Sequence, residues 1–247
     1  MATLYIVATP IGNLEDITLH ALRILKKVDF ILAEDTRQTL KLLNHYEIKK
    51  PLISYFQHSK LNKVEYILNL LGRGKNLALV TDAGTPGIND PGGKLIAETV
   101  KKFGDIVSIT PIPGPNAAIT VLSASGFNVD RFLFLGYPPH KKGRQKFFTE
   151  ISKSRYPVVF YESVHRIIRT LKELEKMFSS FAPTPPKQLR LRRPGKASED
   201  ASERKIVVAR ELTKKFETVY RGTIEEILPR LSEETMGEFV IVVNVPQ

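Results

Sequence analysis

The sequence predicts an α/β protein made of two α/β domains, the first with a mostly parallel sheet and the second with a mixed sheet. Three observations predict this architecture. Short apolar runs recur along the 247 residues, segments with helical spacing lie between them, and several runs of the second half are separated only by short turns. Short apolar strands that alternate with amphipathic helices are typical of a parallel sheet covered on both faces.

The first half of the chain carries five apolar runs, each long enough for one strand. Apolar residues at helical spacing predict amphipathic helices over 17–28 and 64–71. A further helix is expected directly after residue 92. The predicted strands are 4–8, 30–33, 52–55, 77–81 and 106–110.

A stiff Pro-Ile-Pro-Gly-Pro segment at 111–115 follows the fifth strand and predicts a connector, which divides the chain into domains 1–112 and 117–247. In the second domain we expect helices and strands to alternate again. The predicted helices are 116–125, 164–177 and 224–231, and the predicted strands are 132–135, 158–161, 206–209, 218–221 and 239–245.

The segment 178–204 departs from this pattern. It holds four prolines, six basic and three acidic residues, with almost no apolar periodicity. Such a segment cannot bury enough apolar surface to offset its ordering entropy, so we predict a flexible exposed insertion. Its basic run, 187–193, could touch nucleic acid or serve only as a solvated linker.

Charge and composition narrow the functional classes. Lys and Arg number 37 against 26 Asp and Glu, and the net charge of +11 divides into +3 before residue 117 and +8 after it. This excess favours a polyanionic partner, although a basic soluble surface accounts for it equally well. The absence of cysteine excludes disulfides and thiolate chemistry. With no run of about 20 apolar residues and no secretory signal pattern, we expect a cytoplasmic protein.

The loop 82–92, Asp-Ala-Gly-Thr-Pro-Gly-Ile-Asn-Asp-Pro-Gly, follows a predicted strand and precedes a helix. Open α/β sheets bind ligands at this edge. Gly84 and Gly87 let the backbone approach a ligand, and the prolines hold the loop in shape. The spacing matches neither a dinucleotide fingerprint nor a P-loop. A long structural turn is the alternative, and we favour a ligand site.

Two other strand ends are predicted to lie on the same edge. Asn13 is expected to cap the following helix. Glu34 and Asp35 are adjacent on an extended chain, so only one of them should face a cleft, where it could act as a general base. Arg37 could bind a phosphate. A helix cap with an ion pair explains the same residues equally well.

The second half offers a basic run at 140–146, which suits phosphate contacts because cations are unfavourable at a helix start. Glu162 and Glu211 follow strands and could reach a site or be structural. The five histidines are scattered without metal-ligand spacing, and no nucleophile elbow occurs.

Seven motifs occur in order and together resemble the tetrapyrrole (corrin/porphyrin) methylase family, in its branch that methylates small-subunit ribosomal RNA. The resemblance covers nearly the whole chain outside 178–204. The motifs are PIGNLEDIT (10–18), AEDTR (33–37), DAGTPGINDPG (82–92), IPGPNAA (112–118), FLFLGYPPHKKGR (132–144), FYESVHR (160–166) and ARELTKKFE (209–217).

The resemblance implies a homodimer that holds S-adenosylmethionine in a cleft between its two domains. It also implies methyl transfer to the ribose 2′-hydroxyl of a cytidine in the decoding region of 16S rRNA. The cofactor contacts implied by the motifs are Pro10, Ala83, Gly84, Thr85, Ile88, Asn116, Ala117, Glu162 and Leu212.

Asp35 lies where related methylases carry an acidic base, so it is the first catalytic candidate, with Glu34 as the second. Arg37, Lys141, Lys142 and Arg144 are expected to hold RNA phosphates, and His58 is expected near the substrate. We expect no metal, membrane or DNA partner. Two alternatives stay open: a methylase of the same fold acting on a small tetrapyrrole, and a non-enzymatic RNA-binding factor in ribosome assembly.

Overall fold

A computed structural model describes residues 1–56, 59, 61–90, 92–181, 204–232 and 236–244. The chain divides into two compact units, Met1–Ala117 and Ala118–Gln247. His58 and the basic run 187–193 lie outside the described residues. None of the helices in the described ranges is long and apolar enough to cross a membrane.

The first unit is a parallel α/β sheet with helices on both faces. Its five strands run in the order β3-β2-β4-β1-β5, and every pairing is parallel. The strands are β1 Thr3–Val7, β2 Phe30–Ala33, β3 Leu52–Ser54, β4 Leu77–Leu79 and β5 Ser108–Ile112, and the helices are α1 Leu19–Lys27, α2 Thr36–His45, α3 Leu61–Gly72 and α4 Gly93–Phe103.

Successive side chains along the strands point to opposite faces of the sheet and so contribute to two separate hydrophobic cores. Leu4 and Ile6 of β1 pack with the buried faces of α3 and α4, whereas Val7 packs with α1 and α2. A sheet covered on both faces needs apolar residues at nearly every strand position, which is why its strands are continuous apolar runs. The predicted parallel sheet is confirmed. It brings the carboxyl ends of β1, β2, β4 and β5 to one edge.

The structure corrects the end of the fifth strand. The sequence predicted a strand that stops at residue 110 before a Pro-rich connector, yet β5 continues through Pro111 to Ile112, where it pairs with Val7. β5 is an edge strand, and a proline is tolerated there because one side of the strand donates no ladder hydrogen bonds.

The second unit carries a mixed sheet in the order β6-β7-β10-β8-β9. β6 and β7 are parallel, and the remaining pairs are antiparallel, which confirms the predicted mixed sheet. Helices α6, α7 and α8 cover one face. The elements are α5 Ala117–Ser123, β6 Leu133–Phe134, α6 Arg144–Lys153, β7 Val158–Ser163, α7 Ile167–Phe181, β8 Ile206–Arg210, β9 Thr218–Gly222, α8 Ile224–Ser232 and β10 Glu238–Val243.

Helix α7 extends further than the sequence predicted. Residues 178–181 are helical, although the insertion was expected to begin at Phe178. The reason is that Met177 and Phe178 still pack against the core of the second unit. Arg204 is the next residue that the structure describes after Phe181. Its guanidinium lies 4.7 Å from the Phe178 ring centroid and donates to the Ser152 carbonyl at 2.7 Å.

Candidate active site at the carboxyl edge of the first sheet

Loops that follow β1, β4 and β5 are joined by hydrogen bonds at the carboxyl edge of the first sheet. Thr9 donates its backbone N–H to the Gly84 carbonyl at 2.9 Å, and Gly84 donates back to Thr9 at 3.1 Å. The Thr85 hydroxyl donates to the Pro115 carbonyl at 3.1 Å. The loop 82–92 is therefore fixed to both neighbouring strands before any ligand binds.

Two glycines of these loops, Gly84 and Gly114, are favoured for different reasons. Gly84 has a φ of +84°, a region that side chains rarely adopt, and an added Cβ would meet the Ile11 side chain at 3.5 Å. A Cβ at Gly114 would lie only 2.9 Å from the Cβ of Ala8. The 3.5 Å distance is an ordinary contact, so Gly84 is favoured by its backbone conformation, whereas Gly114 is favoured because no room is left for a Cβ beside Ala8.

The structure brings the expected cofactor residues of the first unit to this edge. Ala83 and Ile88 are exposed, and Ile88 leaves 45% of its surface open. The other expected cofactor residues follow the same three strands: Pro10 and Gly84 are buried, and Thr85, Asn116 and Ala117 are half-buried. An exposed apolar side chain in a loop held in place by its neighbours suits the aromatic base of a nucleoside ligand.

Acidic side chains gather beside this loop. Glu34 accepts a hydrogen bond from the buried Thr81 hydroxyl at 2.9 Å, and Asp82 accepts one from the backbone N–H of Asp35 at 3.0 Å. Burial raises the pKa of Asp82 above its usual value. These contacts join the strand ends of β2 and β4, so negative charge is concentrated at the carboxyl edge.

Asp90 is the carboxylate with the most perturbed proton affinity in this group. Burial, together with the charges of Glu34 and Asp82, raises the pKa of Asp90 to about 6, although a hydrogen bond with Thr81 opposes the shift. A carboxylate with this pKa is ionised at neutral pH and yet accepts a proton more readily than an ordinary aspartate.

Asp35 has a different environment. It caps α2 by accepting from the backbone N–H of Arg37 at 2.8 Å, and the Arg37 Nη2 lies 2.6 Å from its Oδ2. The hydrogen bonds from the Arg37 side chain and backbone lower the pKa of Asp35 to about 2. The helix cap and ion pair that the sequence allowed are both present. A carboxylate held in this way is a weak proton acceptor.

Asp82, Asp90 and Thr81 were missed as individual residues by the sequence reasoning. Asp82 and Asp90 stand near the two ends of the loop that was singled out, so their position was a usable signal. The coupling of Asp90 with Glu34 could not be predicted, because the two strand ends meet only in the fold: Glu34 lies 47 residues from its partner Thr81 along the chain. Asn13, by contrast, accepts from the Glu15 N–H at 3.1 Å, and its predicted capping role is confirmed at a short 3₁₀ turn.

Glu162 does not present its side chain as a ligand group. It shares the helix-covered face of β7 with Val158 and Phe160, and it is 1% exposed. Its Oε1 lies 2.8 Å from Arg166 Nη2, and its Oε2 accepts from the Thr170 hydroxyl at 2.5 Å. The expected cofactor contact through this carboxylate is therefore corrected: the carboxylate anchors α7 to the sheet.

Arg144 is also corrected. It was expected to hold an RNA phosphate from a loop, but it opens α6 and is 5% exposed. Its guanidinium donates to Glu173 at 2.6 Å, to Thr170 at 2.6 Å and to the Pro139 carbonyl at 3.1 Å. All three nitrogens thus serve the fold, whereas Lys141 and Lys142 are exposed.

Leu212 lies in a strained turn that follows β8. Its neighbours Glu211 and Thr213 have φ values of +51° and +64°, which non-glycine residues seldom adopt. The turn is held by the Glu211–Lys214 ion pair at 2.9 Å and by the bond from Glu211 N–H to the Glu238 carbonyl at 2.9 Å. Strain of this kind is concentrated at functional sites, and the contact of Leu212 with a cofactor stays a prediction.

The part of the chain that the structure describes contains no group of three or more His, Cys, Asp or Glu side chains placed to hold a metal ion.

Comparison with known families gives a match over most of the chain. The family model described as Tetrapyrrole (Corrin/Porphyrin) Methylases matches residues 3–228. A Bacillus subtilis protein named ribosomal RNA small subunit methyltransferase I is 44% identical over 247 residues, covering 99% of this chain and 75% of the relative. A Thermotoga maritima protein of the same name is 36% identical, and 99% of each chain is covered.

Solved structures with the same fold are more distant in sequence. Uroporphyrin-III-C-methyltransferase from Thermus thermophilus has a TM-score of 0.62 at 20% identity, with 99% of this chain and 94% of that chain covered. Diphthine synthase has a TM-score of 0.67 at 11% identity, with coverage of 98% and 90%.

Proposed function

This chain belongs to the tetrapyrrole (corrin/porphyrin) methylase family, and from that premise we propose that it methylates 16S rRNA of the small ribosomal subunit, at the ribose 2′-oxygen of a cytidine. The chain is a methyltransferase that uses S-adenosylmethionine. The assignment of RNA as the substrate rests on one observation: relatives of 36–44% identity over nearly the full chain share the name ribosomal RNA small subunit methyltransferase I.

The residues at the carboxyl edge of the first sheet fit such a cofactor. Exposed Ile88 offers an apolar surface to an adenine ring, and Ala83 in the same loop is also exposed. The negative charge of Asp82 and Asp90 suits the positive charge of the cofactor. When bound, S-adenosylmethionine supplies an activated methyl group on a cationic sulfur.

We assign the remaining contacts of the first unit to Pro10, Thr85, Asn116 and Ala117, and a contact of the second unit to Leu212. Because the three loops of the first unit are already tied together by the Thr9–Gly84 and Thr85–Pro115 bonds, little ordering entropy is lost there on binding. Alignment of two reactants in a prepared site can lower a barrier by about 7–11 kcal/mol at best.

Asp90 is our proposed general base. A neutral ribose hydroxyl is a poor nucleophile, and a carboxylate within hydrogen-bond reach can take up its proton as the methyl group is transferred. Asp90 has the raised proton affinity that this role needs, whereas Asp35 is held ionised by Arg37. Glu34 and Asp90 both hydrogen-bond with the Thr81 hydroxyl, and the negative charge of Glu34 helps to raise the pKa of Asp90.

Exposed cations would hold the RNA around the reacting nucleotide. Lys141 and Lys142 are exposed, and they precede α6 in the second unit. The side chain of Arg37 is 87% exposed and already bound to Asp35, so a phosphate would have to share its guanidinium. Phosphate contacts of this type position RNA without reading its sequence.

The proposal extends to assembly and place of action. A homodimer is typical of this family, and cytoplasmic ribosome assembly is where an enzyme that modifies 16S rRNA meets its substrate. The mass of the purified protein, measured by light scattering, tests the first point: twice 27.9 kDa supports a dimer, and 27.9 kDa contradicts it.

A competition among methyl acceptors tests the proposed substrate class. The protein is incubated with methyl-labelled S-adenosylmethionine and with 30S subunits, a tetrapyrrole substrate, or neither. Label recovered in 16S rRNA alone supports the proposal. Label in the tetrapyrrole alone favours the small-molecule methylase, and tight RNA binding without measurable cofactor binding favours a non-enzymatic assembly factor.

A further inference from the structure

A line of basic side chains runs along the exposed face of α7. His165 precedes the helix, and Arg169, Lys172 and Lys176 follow at intervals of four, three and four residues. Residues at these intervals lie on one side of a helix, one above another. All four side chains are exposed, and Arg169, Lys172 and Lys176 form a cationic stripe along the exposed side of α7.

The stripe borders a concave surface shared with the start of α6. Two adjoining hollows of about 320 and 460 Å³ have Arg169, Glu173 and Lys176 in common. Lys141 and Gln145 form the opposite wall of the first hollow. We call this surface the α6–α7 groove.

The charge of the α6–α7 groove is strongly positive. Among the described residues that line it, Glu173 is the single acidic side chain. That carboxylate is occupied from two sides, by Arg144 at 2.6 Å and by Arg169 at 2.7 Å. Burial alone would raise the pKa of Glu173, but hydrogen bonds from Arg169 and Arg144 lower it, so the negative charge of this carboxylate is neutralised by the two arginines.

We infer that the α6–α7 groove binds the phosphodiester backbone of the RNA substrate. The inference rests on the proposed function and extends the phosphate contact assigned there to Lys141 along α7. From Arg169 to Lys176 the helix rises about 10 Å, a length over which a nucleic-acid duplex carries about six phosphate charges.

The lining chemistry favours RNA over an acidic protein. Protein interfaces are anchored by exposed aromatic or other large apolar side chains. In the described walls of the groove, Ile168 and Met177 are half-buried and pack against the core of the second unit, whereas the exposed side chains are lysine, arginine, histidine and glutamine. Phe148, the aromatic residue of the first hollow, is only 3% exposed and lies under the Arg144 guanidinium at 4.9 Å. Exposed cations and amides of this kind contact phosphates without any apolar anchor.

The test removes three lysines of the groove without touching the Glu173 network. The variant Lys141→Gln/Lys172→Gln/Lys176→Gln is compared with Lys26→Gln/Lys27→Gln/Lys101→Gln, which removes three exposed lysines from α1 and α4 of the first unit. A third variant, with arginine at the three groove positions, keeps the charge. The probe is a fluorescein-labelled 20-nucleotide RNA, and its affinity is measured by anisotropy from 50 to 300 mM salt.

The groove variant should bind RNA about 10- to 50-fold more weakly near 150 mM salt, and its slope of log affinity against log salt should fall by about 2. The arginine variant should keep wild-type affinity, and S-adenosylmethionine affinity should be unchanged in all three. Equal affinities and slopes for the groove and control variants would overturn the inference. So would polyglutamate binding that equals RNA binding and depends on the same lysines.

The two proposals fail separately in this design. A wild-type protein that transfers no methyl group to 30S subunits, while its RNA affinity still depends on the groove lysines, would contradict the proposed function and support the groove. Normal RNA labelling with no effect of the groove lysines on affinity would do the reverse.

Discussion

Arg37 holds the carboxylate of Asp35 through its side chain, with Nη2 2.6 Å from Oδ2 and Nε 3.0 Å from Oδ1, while its backbone N–H donates to the same group. This arrangement occupies the acidic residue that the family resemblance points to as the base. It leaves Asp90, on the neighbouring loop, as the carboxylate better suited to accept a proton.

Exchange of the two carboxylates for amides separates their roles. We expect Asp90→Asn to lower the single-turnover rate of methyl transfer by about 100-fold or more, the usual contribution of a general base. Asp35→Asn should lower it less than about tenfold, because asparagine also caps a helix. Calorimetry of S-adenosylmethionine binding is the control. Loss of the rate in Asp35→Asn with a normal rate in Asp90→Asn would refute the assignment.

The same substitution has a predicted effect on stability. The pKa of Asp90 in the folded protein is about 6, above the 3.8 of an unperturbed aspartate. The wild type therefore loses stability as the pH rises from the lower to the higher of these two values. Asp90→Asn removes this loss, and we expect it to be more stable than wild type by about 1 kcal/mol at pH 8. At pH 4 the two should be nearly equal. Thermal unfolding at both pH values measures the difference, and a variant less stable at pH 8 would contradict it.

Glu162 should prove to be a structural anchor. Removal of one partner from a buried ion pair leaves an uncompensated charge, so Glu162→Ala should lower the free energy of unfolding by about 3–5 kcal/mol. Glu150→Ala, on the exposed side of α6, is the matched control and should be nearly neutral. Glu162→Gln should fold and bind S-adenosylmethionine with wild-type affinity. A stable Gln variant that has lost cofactor affinity would restore the binding role expected from the sequence.

The close approach at Gly114 predicts a second stability effect. An added methyl group would lie 2.9 Å from the Cβ of Ala8, so Gly114→Ala should destabilise the protein by about 1–3 kcal/mol through overpacking. Gly93, the first residue of α4, has no neighbour within 4 Å of an added Cβ, and Gly93→Ala should be neutral or slightly stabilising. Chemical denaturation compares the two. Equal stabilities would show that the β1 and β5 loops part without cost.

The sequence predicted the architecture well because its signals are local. Apolar runs such as Phe30–Ala33 became strands with the same limits, since a strand buried on both faces needs nothing but apolar residues. Pro111 misled the prediction of a strand end, because edge position depends on the order of strands rather than on the residues themselves.

The site was predicted less completely because its chemistry depends on distant residues. The loop 82–92 was found from its glycines and prolines, but the raised pKa of Asp90 arises from its burial in the folded chain and from the charge of Glu34 on another strand end. Arg144 and Glu162 were read as ligand groups from their motifs. Their common partner Thr170 lies on α7, and nothing in the spacing of the motifs revealed that contact.

The position of the transferred methyl group tests the central claim most directly. Unmethylated 30S subunits are incubated with the protein and methyl-labelled S-adenosylmethionine, and the 16S rRNA is digested to nucleosides and analysed by mass spectrometry. We predict one labelled nucleoside, a cytidine that carries the methyl group on its ribose 2′-oxygen. Label on a base atom, or on a nucleoside other than cytidine, would contradict the account.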